Sequence, residues 1–165
     1  MSYRIGLDLG GTKVLGVVTD SDHKVIHRKK HRLSNRADIS AVMDQISNVY
    51  TALAEQVGDE KIDSVGIALP SPVDNELGHA KHLTAFQEKE LPVRDMLKER
   101  TGVDVKLGND VNMATLAEYK FGAGKGVSSL FTFYPGTGLG GGYIYKGKLV
   151  TGFNSTAAEV GHVVI

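Results

Sequence analysis

The stretch Asp8-Leu9-Gly10-Gly11-Thr12-Lys13 lies between two apolar, β-branched runs, residues 3–7 and 14–19. It reads as a tight turn joining two antiparallel strands at the very start of the fold. Paired glycines let the backbone approach an anion with no Cβ in the way. Thr12 adds a hydroxyl and Lys13 a cation, and Asp8, at the end of the first strand, is placed to hold a cation, most simply through water. An acid, bare amides, a hydroxyl and a positive charge in one turn suit a metal-phosphate. A plain hairpin with a Gly-Gly turn fits the same residues.

Working outward, residues 3–9, 14–19 and 24–32 read as three strands, with Ser21-Asp22-His23 turning between the last two. Three strands before any helix predict an antiparallel meander. The basic run Arg28-Lys29-Lys30-His31-Arg32 fits a solvated edge strand, because no second basic patch accompanies it. Residues 38–57 carry Ile39, Val42, Met43, Ile46, Val49, Tyr50, Leu53 and Val57 at three- and four-residue spacing, the stripe of a helix covering a sheet face. Asp38 can cap its start and Gly58 end it. The apolar run 62–69 predicts a buried central strand, stopped by Pro70-Ser71-Pro72. In open α/β sheets the carboxyl end of such a strand is where ligands sit.

Residues 74–80 read as a polar hairpin or turn. Pro92 opens a short helix through Thr101, with Val93, Met96 and Leu97 inward and Gly102 just past its end. A strand over 103–107 leads to Gly108-Asn109-Asp110-Val111-Asn112 and a helix through Phe121, with Ala114, Ala117 and Phe121 on one face. Asn109 and Asp110 thus fall at a strand end and a helix start, where the ionised carboxylate of Asp110 is favoured; a simple capping role fits Asp110 as well. Gly122-Ala123-Gly124-Lys125-Gly126 is a flexible connection and the expected boundary between a first lobe, 1–121, and the start of a second, 122–165.

Beyond it come a strand over 128–134, a glycine turn over 136–142 and a hairpin of 143–145 with 149–151 around Lys146-Gly147-Lys148. The turn contains G-x-G-x-x-G, but a hairpin follows rather than a helix, so a dinucleotide fingerprint is excluded by context. A strand-turn-strand with bare amides and Thr137 remains a sound phosphate cradle. Glu159-Val160-Gly161-His162 puts a carboxylate and an imidazole where they face one ligand if the backbone is turned.

Bulk properties narrow the class. A chain of 165 residues suits one domain, or one and a fraction. Lysine plus arginine equals aspartate plus glutamate at 19 each, which argues against bulk binding to nucleic acid or anionic membrane. There is no cysteine, hence no disulfide and no thiolate metal site in these residues. No apolar run reaches membrane-spanning length and no signal peptide is visible, so the cytoplasm is expected.

Asp8–Lys13, Asn109-Asp110, Gly136–Gly142, the Gly147…Gly152 spacing and Glu159-Val160-Gly161-His162 together resemble the ROK family, which comprises bacterial sugar kinases and sugar-responsive repressors. The resemblance covers essentially the whole chain. It implies the actin-like, ribonuclease-H-like α/β fold: a mixed sheet with an antiparallel N-terminal meander flanked by helices, in two lobes with a cleft between them. By the resemblance, Asp110 matches the catalytic base, and Asn109, Asp110, Glu159 and His162 the sugar contacts. Asp8, Gly10, Gly11, Thr12 and Lys13 match the first phosphate loop, with Asp8 toward Mg²⁺, and Gly136, Thr137 and Gly138 the second. His162 also matches a residue that in many members joins cysteines of a C-x-C-G-x-x-G-C segment around a structural zinc; with no cysteine here, no structural metal is expected in this chain.

The resemblance further implies ATP-dependent phosphorylation of a hexose 6-hydroxyl, glucose first of all, by a cytoplasmic homodimer. The alternatives are N-acetylmannosamine, N-acetylglucosamine, fructose or allose as the sugar, or a non-catalytic sugar sensor. Two departures bear on the sugar: Ser71 stands where the family has glycine between two prolines, and His82 precedes Leu83 where asparagine is usual. The chain stops about halfway through a typical member, so the second lobe is expected to be incomplete and these residues alone are expected to be inactive.

Overall fold

The computed structural model describes residues 2–136 and 138–162. They form two compact units, Met1–Gly108 and Asn109–Ile165.

In the first unit β1 (Ser2–Leu9), β2 (Lys13–Thr19) and β3 (Val25–Arg32) make the expected antiparallel meander. After α1 (Ile39–Ala54), β4 (Lys61–Leu69) pairs in parallel with β1. With β8 (Val105–Asn109) the sheet order is β3-β2-β1-β4-β8, so β4 is an interior strand beside the central β1, and the basic β3 is an edge. Alternation sends Ile5, Leu7, Leu9, Val14, Val18, Val65, Ile67 and Leu69 to one buried face. The α1 stripe of Val42, Met43, Ile46, Val49 and Leu53 is buried with it. The helix comes so close that a Cβ on Gly16 would lie 2.5 Å from Leu53 Cδ1 and 2.8 Å from Val49 Cγ1.

Asp38 caps α1 as predicted, its Oδ1 accepting from the amides of Ser40 (3.0 Å) and Ala41 (3.2 Å). The regular helix ends at Ala54, and tight turns carry the chain to Gly58 at φ +59°. α2 (Val93–Thr101) buries Val93 and Leu97 and stops at Gly102, whose left-handed φ of 72° suits glycine. Arg100 ties α2 to α1 through Asp44 Oδ1 (2.7 Å) and Ser40 Oγ (2.8 Å).

Of the two readings of residues 74–80, the hairpin is the one found, and the chain up to Pro92 extends it. The result is a second, three-stranded antiparallel sheet of β5 (Val73–Asp74), β6 (His79–Leu83) and β7 (Glu88–Leu91). Buried Ser71 anchors it: its hydroxyl donates to Pro72 O (2.8 Å) and accepts from the His82 amide (2.9 Å).

The second unit holds α3 (Asp110–Phe121) and a sheet of order β11-β10-β9, from β9 (Leu130–Pro135), β10 (Leu139–Tyr145) and β11 (Lys148–Leu149). The expected lobe boundary after residue 121 lies inside this unit, because α3 packs on β9 and β10. The Gly122–Gly126 stretch closes as turns on the end of α3, with the amides of Gly122 and Gly124 both donating to Glu118 O at 3.0 Å. The inward face of α3 also differs from expectation. Ala117 is exposed and Phe121 is 65% exposed, whereas Asn112 and Thr115 are buried. Val111, Thr115 and Tyr119, one helical turn apart, lie against Gly140, Gly142 and Gly147. Small residues on the strand admit this β-branched and aromatic ridge.

The predicted glycine turn 136–142 is therefore two things. Only its first residues turn, and Gly140, Gly141 and Gly142 are strand residues of β10. The last hairpin strand is shorter than expected, although Val150 still donates to Tyr143 O (2.8 Å). Among the described residues no helix is long and apolar enough to cross a membrane.

Candidate functional site

In the first unit the site is the β1–β2 turn. Leu9 and Val14, paired and buried, pin its two ends. The Gly10 amide donates to Lys13 O (2.8 Å), the Leu33 amide to Thr12 O (2.9 Å), and Arg36 Nη1 to Gly11 O (2.8 Å). Every carbonyl from Gly11 to Lys13 is thus engaged, while no backbone carbonyl among the described residues takes the amides of Gly11 and Thr12. Thr12 and Lys13 are exposed.

Neither glycine has a left-handed φ. A Cβ on Gly11 would meet Ala85 Cβ at 3.3 Å, a tight fit. One on Gly10 would have nothing nearer than 3.5 Å, so the fold itself does not demand glycine there. The space is left for something outside the chain. Asp8 sits on the solvent-reaching face of β1, opposite Leu15 and Ala68. Crowding by surrounding protein raises its carboxyl pKa above the usual 3.8, and Lys13 opposes that shift.

In the second unit three elements meet at the start of β10. The first is the N-terminus of α3. Asn109 is the N-cap, its Oδ1 accepting from the Asn112 amide (3.0 Å). The capping role open to Asp110 in the sequence thus belongs to its neighbour. Asp110 is the first helical residue, and its Oδ1 accepts from the Val111 amide (2.8 Å) and from Asn109 Nδ2 (3.1 Å).

The second element is the β9–β10 tip. Pro135 pairs with Leu139, and the Gly136 amide donates to Gly138 O (2.8 Å). A Cβ on Gly138 would have nothing within 4 Å, and one on Gly136 only Gly138 O at 3.9 Å. Thr137, the hydroxyl predicted here, lies outside the described residues. By contrast, Cβ atoms on Gly140 and Gly142 would run into Val111 and Thr115 of α3.

The third element is a 3-10 turn over Val160–His162, with the His162 amide donating to Glu159 O (3.1 Å). The backbone is turned here, as a shared ligand for Glu159 and His162 requires, and both residues are exposed. Gly161 and Gly141 fix this turn on β10: their Cβ positions lie 2.5 Å from Leu139 O and Ala158 O. Alternate faces of β10 thus carry α3 and the Glu159–His162 turn.

The roles of Arg36 and Asn112 escaped the sequence reading, and Ser71 was read only as a departure bearing on the sugar, not as the tie to His82. Asn112 Oδ1 is buried with no partner among the described residues. Its polar type at an inward helix position was the one available signal. Arg36 gave none, since its bond to Gly11 spans 25 residues.

The amides of Gly11 and Thr12 fit phosphate groups, and Asp8 fits a hydrated divalent cation beside them. The described residues do not by themselves make up a zinc site. His162 has no cysteine to join, and the described residues contain no cluster of three or more histidine, aspartate or glutamate side chains suited to a metal.

An antiparallel meander continued by a parallel strand, flanked by helices and followed by a second α/β unit, is the actin-like ATPase fold. A family model described as the ROK family matches residues 4–165, and the chain belongs to that family. It is 35% identical to a glucokinase of Thermotoga maritima, over 98% of this chain and 50% of that protein. It is 33% identical to a glucokinase of Streptomyces coelicolor, over 99% of this chain and 50% of that protein. A ROK family glucokinase from Streptomyces griseus, solved in complex with glucose and AMPPNP, superposes with a TM-score of 0.87 at 31% identity, covering 99% of this chain and 51% of that one. The chain spans about half the length of the relatives it matches.

Proposed function

We propose that the full polypeptide transfers the γ-phosphoryl group of ATP to the 6-hydroxyl of a hexose, with glucose as the sugar, acting in the cytoplasm as a homodimer. The observation that carries the reading is the division of labour at α3: Asn109 makes the N-cap bond, so capping does not explain a carboxylate at Asp110. The glucokinase relatives and the glucose and AMPPNP held by the S. griseus enzyme support the substrate pair.

In this reading Asp110 accepts the proton of the 6-hydroxyl as that oxygen bonds to the γ-phosphorus and the bond to ADP breaks. Asn109, Glu159 and His162 hold the ring hydroxyls and fix the attack geometry, since hydrogen bonds discriminate hydroxyl patterns better than apolar contacts do. The amides of Gly11 and Thr12, the Thr12 hydroxyl and Lys13 bind phosphate oxygens, and Gly136, Thr137 and Gly138 form a second cradle. A magnesium ion held through water by Asp8 would neutralise phosphate charge.

A different sugar is the second reading, favoured by Ser71 and His82. The Ser71 hydroxyl is used inside the fold to hold the His82 amide, which places an exposed imidazole where the family has asparagine.

The test is Asp110→Asn in the full-length polypeptide, assayed by ATP consumption over a panel of sugars. Turnover is expected to fall by about two to four orders of magnitude with sugar affinity retained. Turnover within a few-fold of wild type would remove Asp110 from the chemistry.

A further inference from the structure

Two of the three carbonyls in the β1–β2 turn are held by backbone amides, those of Gly10 and Leu33. The third, Gly11 O, is held by a side chain, the exposed guanidinium of Arg36 at 2.8 Å. In a planar trans peptide the carbonyl and the following N–H point to opposite sides, and the chain has no cis peptide. Holding Gly11 O toward Arg36 therefore aims the Thr12 amide the other way. That amide is one of the two that no backbone carbonyl takes.

A Gly-Gly pair is the part of the chain least able to hold such an orientation by itself, because glycine samples many backbone conformations. Ala85, in tight contact with the Cβ position of Gly11, limits the turn from behind. Arg36 and Ala85 also line a cleft of about 440 Å³ together with Ala37, Phe86, Gln87 and Glu88. The guanidinium thus lies both on the turn and on the lining of an open cleft.

We propose that Arg36 is a positioning residue for nucleotide phosphate: it fixes the Gly11–Thr12 peptide so that the Thr12 amide is aimed at the anion before binding. This rests on the reading of the turn as a phosphate loop. The experiment compares wild type, Arg36→Ala and Arg36→Lys in the full-length polypeptide, using steady-state kinetics with MgATP and sugar, AMPPNP titration and thermal unfolding. Arg36→Ala is expected to raise KM for MgATP about tenfold, the loss of one charge-assisted hydrogen bond, with KM for the sugar and the melting temperature unchanged. Arg36→Lys is expected to fall between, and added guanidinium to restore part of the AMPPNP affinity of Arg36→Ala alone. If wild type binds AMPPNP and Arg36→Ala binds it within twofold, the inference fails and the phosphate reading stands. Equal rises in both KM values together with a lower melting temperature reduce Arg36 to a structural tie and also overturn it. Should wild type bind no AMPPNP, both readings fail.

Discussion

Replacing Gly138 and Gly142 with alanine, one at a time, separates the two halves of one glycine run. Neither has a left-handed φ, so alanine is conformationally allowed at both. At Gly142 the new methyl would meet Thr115, with Cβ at 2.7 Å and Cγ2 at 3.0 Å, inside the contact between α3 and β10. Overpacking of that kind costs about 1–3 kcal/mol. At Gly138 the methyl meets nothing within 4 Å, and the only stability effect is the lost freedom of the unfolded chain, a gain of about 0.4–1 kcal/mol. The two variants should differ by about 1.5–4 kcal/mol, and each kcal/mol moves the melting temperature by about 2–4 °C for a protein of this size. Function should rank them in the opposite order. A methyl at Gly138 occupies the space left for a phosphate, and a displacement of about 1 Å costs about a hundredfold in turnover. Thermal unfolding and MgATP-dependent kinetics on the full-length polypeptide read both effects. Unchanged kinetics in Gly138→Ala would refute the bare-amide cradle, and a Gly142→Ala protein as stable as wild type would refute the packing account.

Glu159→Gln turns one charge-assisted hydrogen bond into a neutral one and should weaken sugar binding by about tenfold while leaving AMPPNP binding intact; calorimetry with each ligand decides, and equal effects would take Glu159 out of the sugar site. Asp8 gives a pH signature. Its folded-state pKa is raised by burial, against the pull of Lys13, so ionisation opposes folding, and stability falls as pH climbs from the ordinary value of 3.8 through the raised one. Asp8→Asn should therefore melt higher than wild type at about pH 7 and equal to it at about pH 3, while losing magnesium-dependent turnover; a lower melting temperature at neutral pH would contradict the sign.

Local signals carried the meander and α1 into view. Val14 to Thr19 alternates, Asp38 stands before a 3.6-residue stripe, and Gly102 ends α2, all within a few residues of the features they control. The hairpin of β5 and β6 was among the readings of residues 74–80, but its extension by β7 was hidden, because that strand has four residues, includes Glu88, Lys89 and Glu90, and belongs to a sheet that depends on the Ser71–His82 tie across the chain. The face of α3 was misread for a related reason. Apolar periodicity favoured Ala114, Ala117 and Phe121, but the partner strand is glycine-lined and receives Val111, Thr115 and Tyr119 instead. Of the candidate site, the turned backbone at Glu159 to His162 and the strand-end, helix-start position of Asn109 and Asp110 were legible. That Asn109 takes the cap, and that Gly140 to Gly142 serve packing, depended on distances no one-dimensional pattern contains.

The cap on α3 has a consequence for how the catalytic position can change. Had Asp110 closed the helix, any loss of its carboxylate would have loosened the recognition surface with it, and a silent descendant would have been an unstable one. With the cap on Asn109, the N-cap bond survives a change at position 110. If Asp110 is the base proposed above, a single base change there would disarm the protein while leaving its grip on sugar, turning a catalyst into a receptor in one step. An Asp110→Asn protein should accordingly be a practical trap, able to hold sugar and nucleotide side by side long enough to be crystallised before reaction.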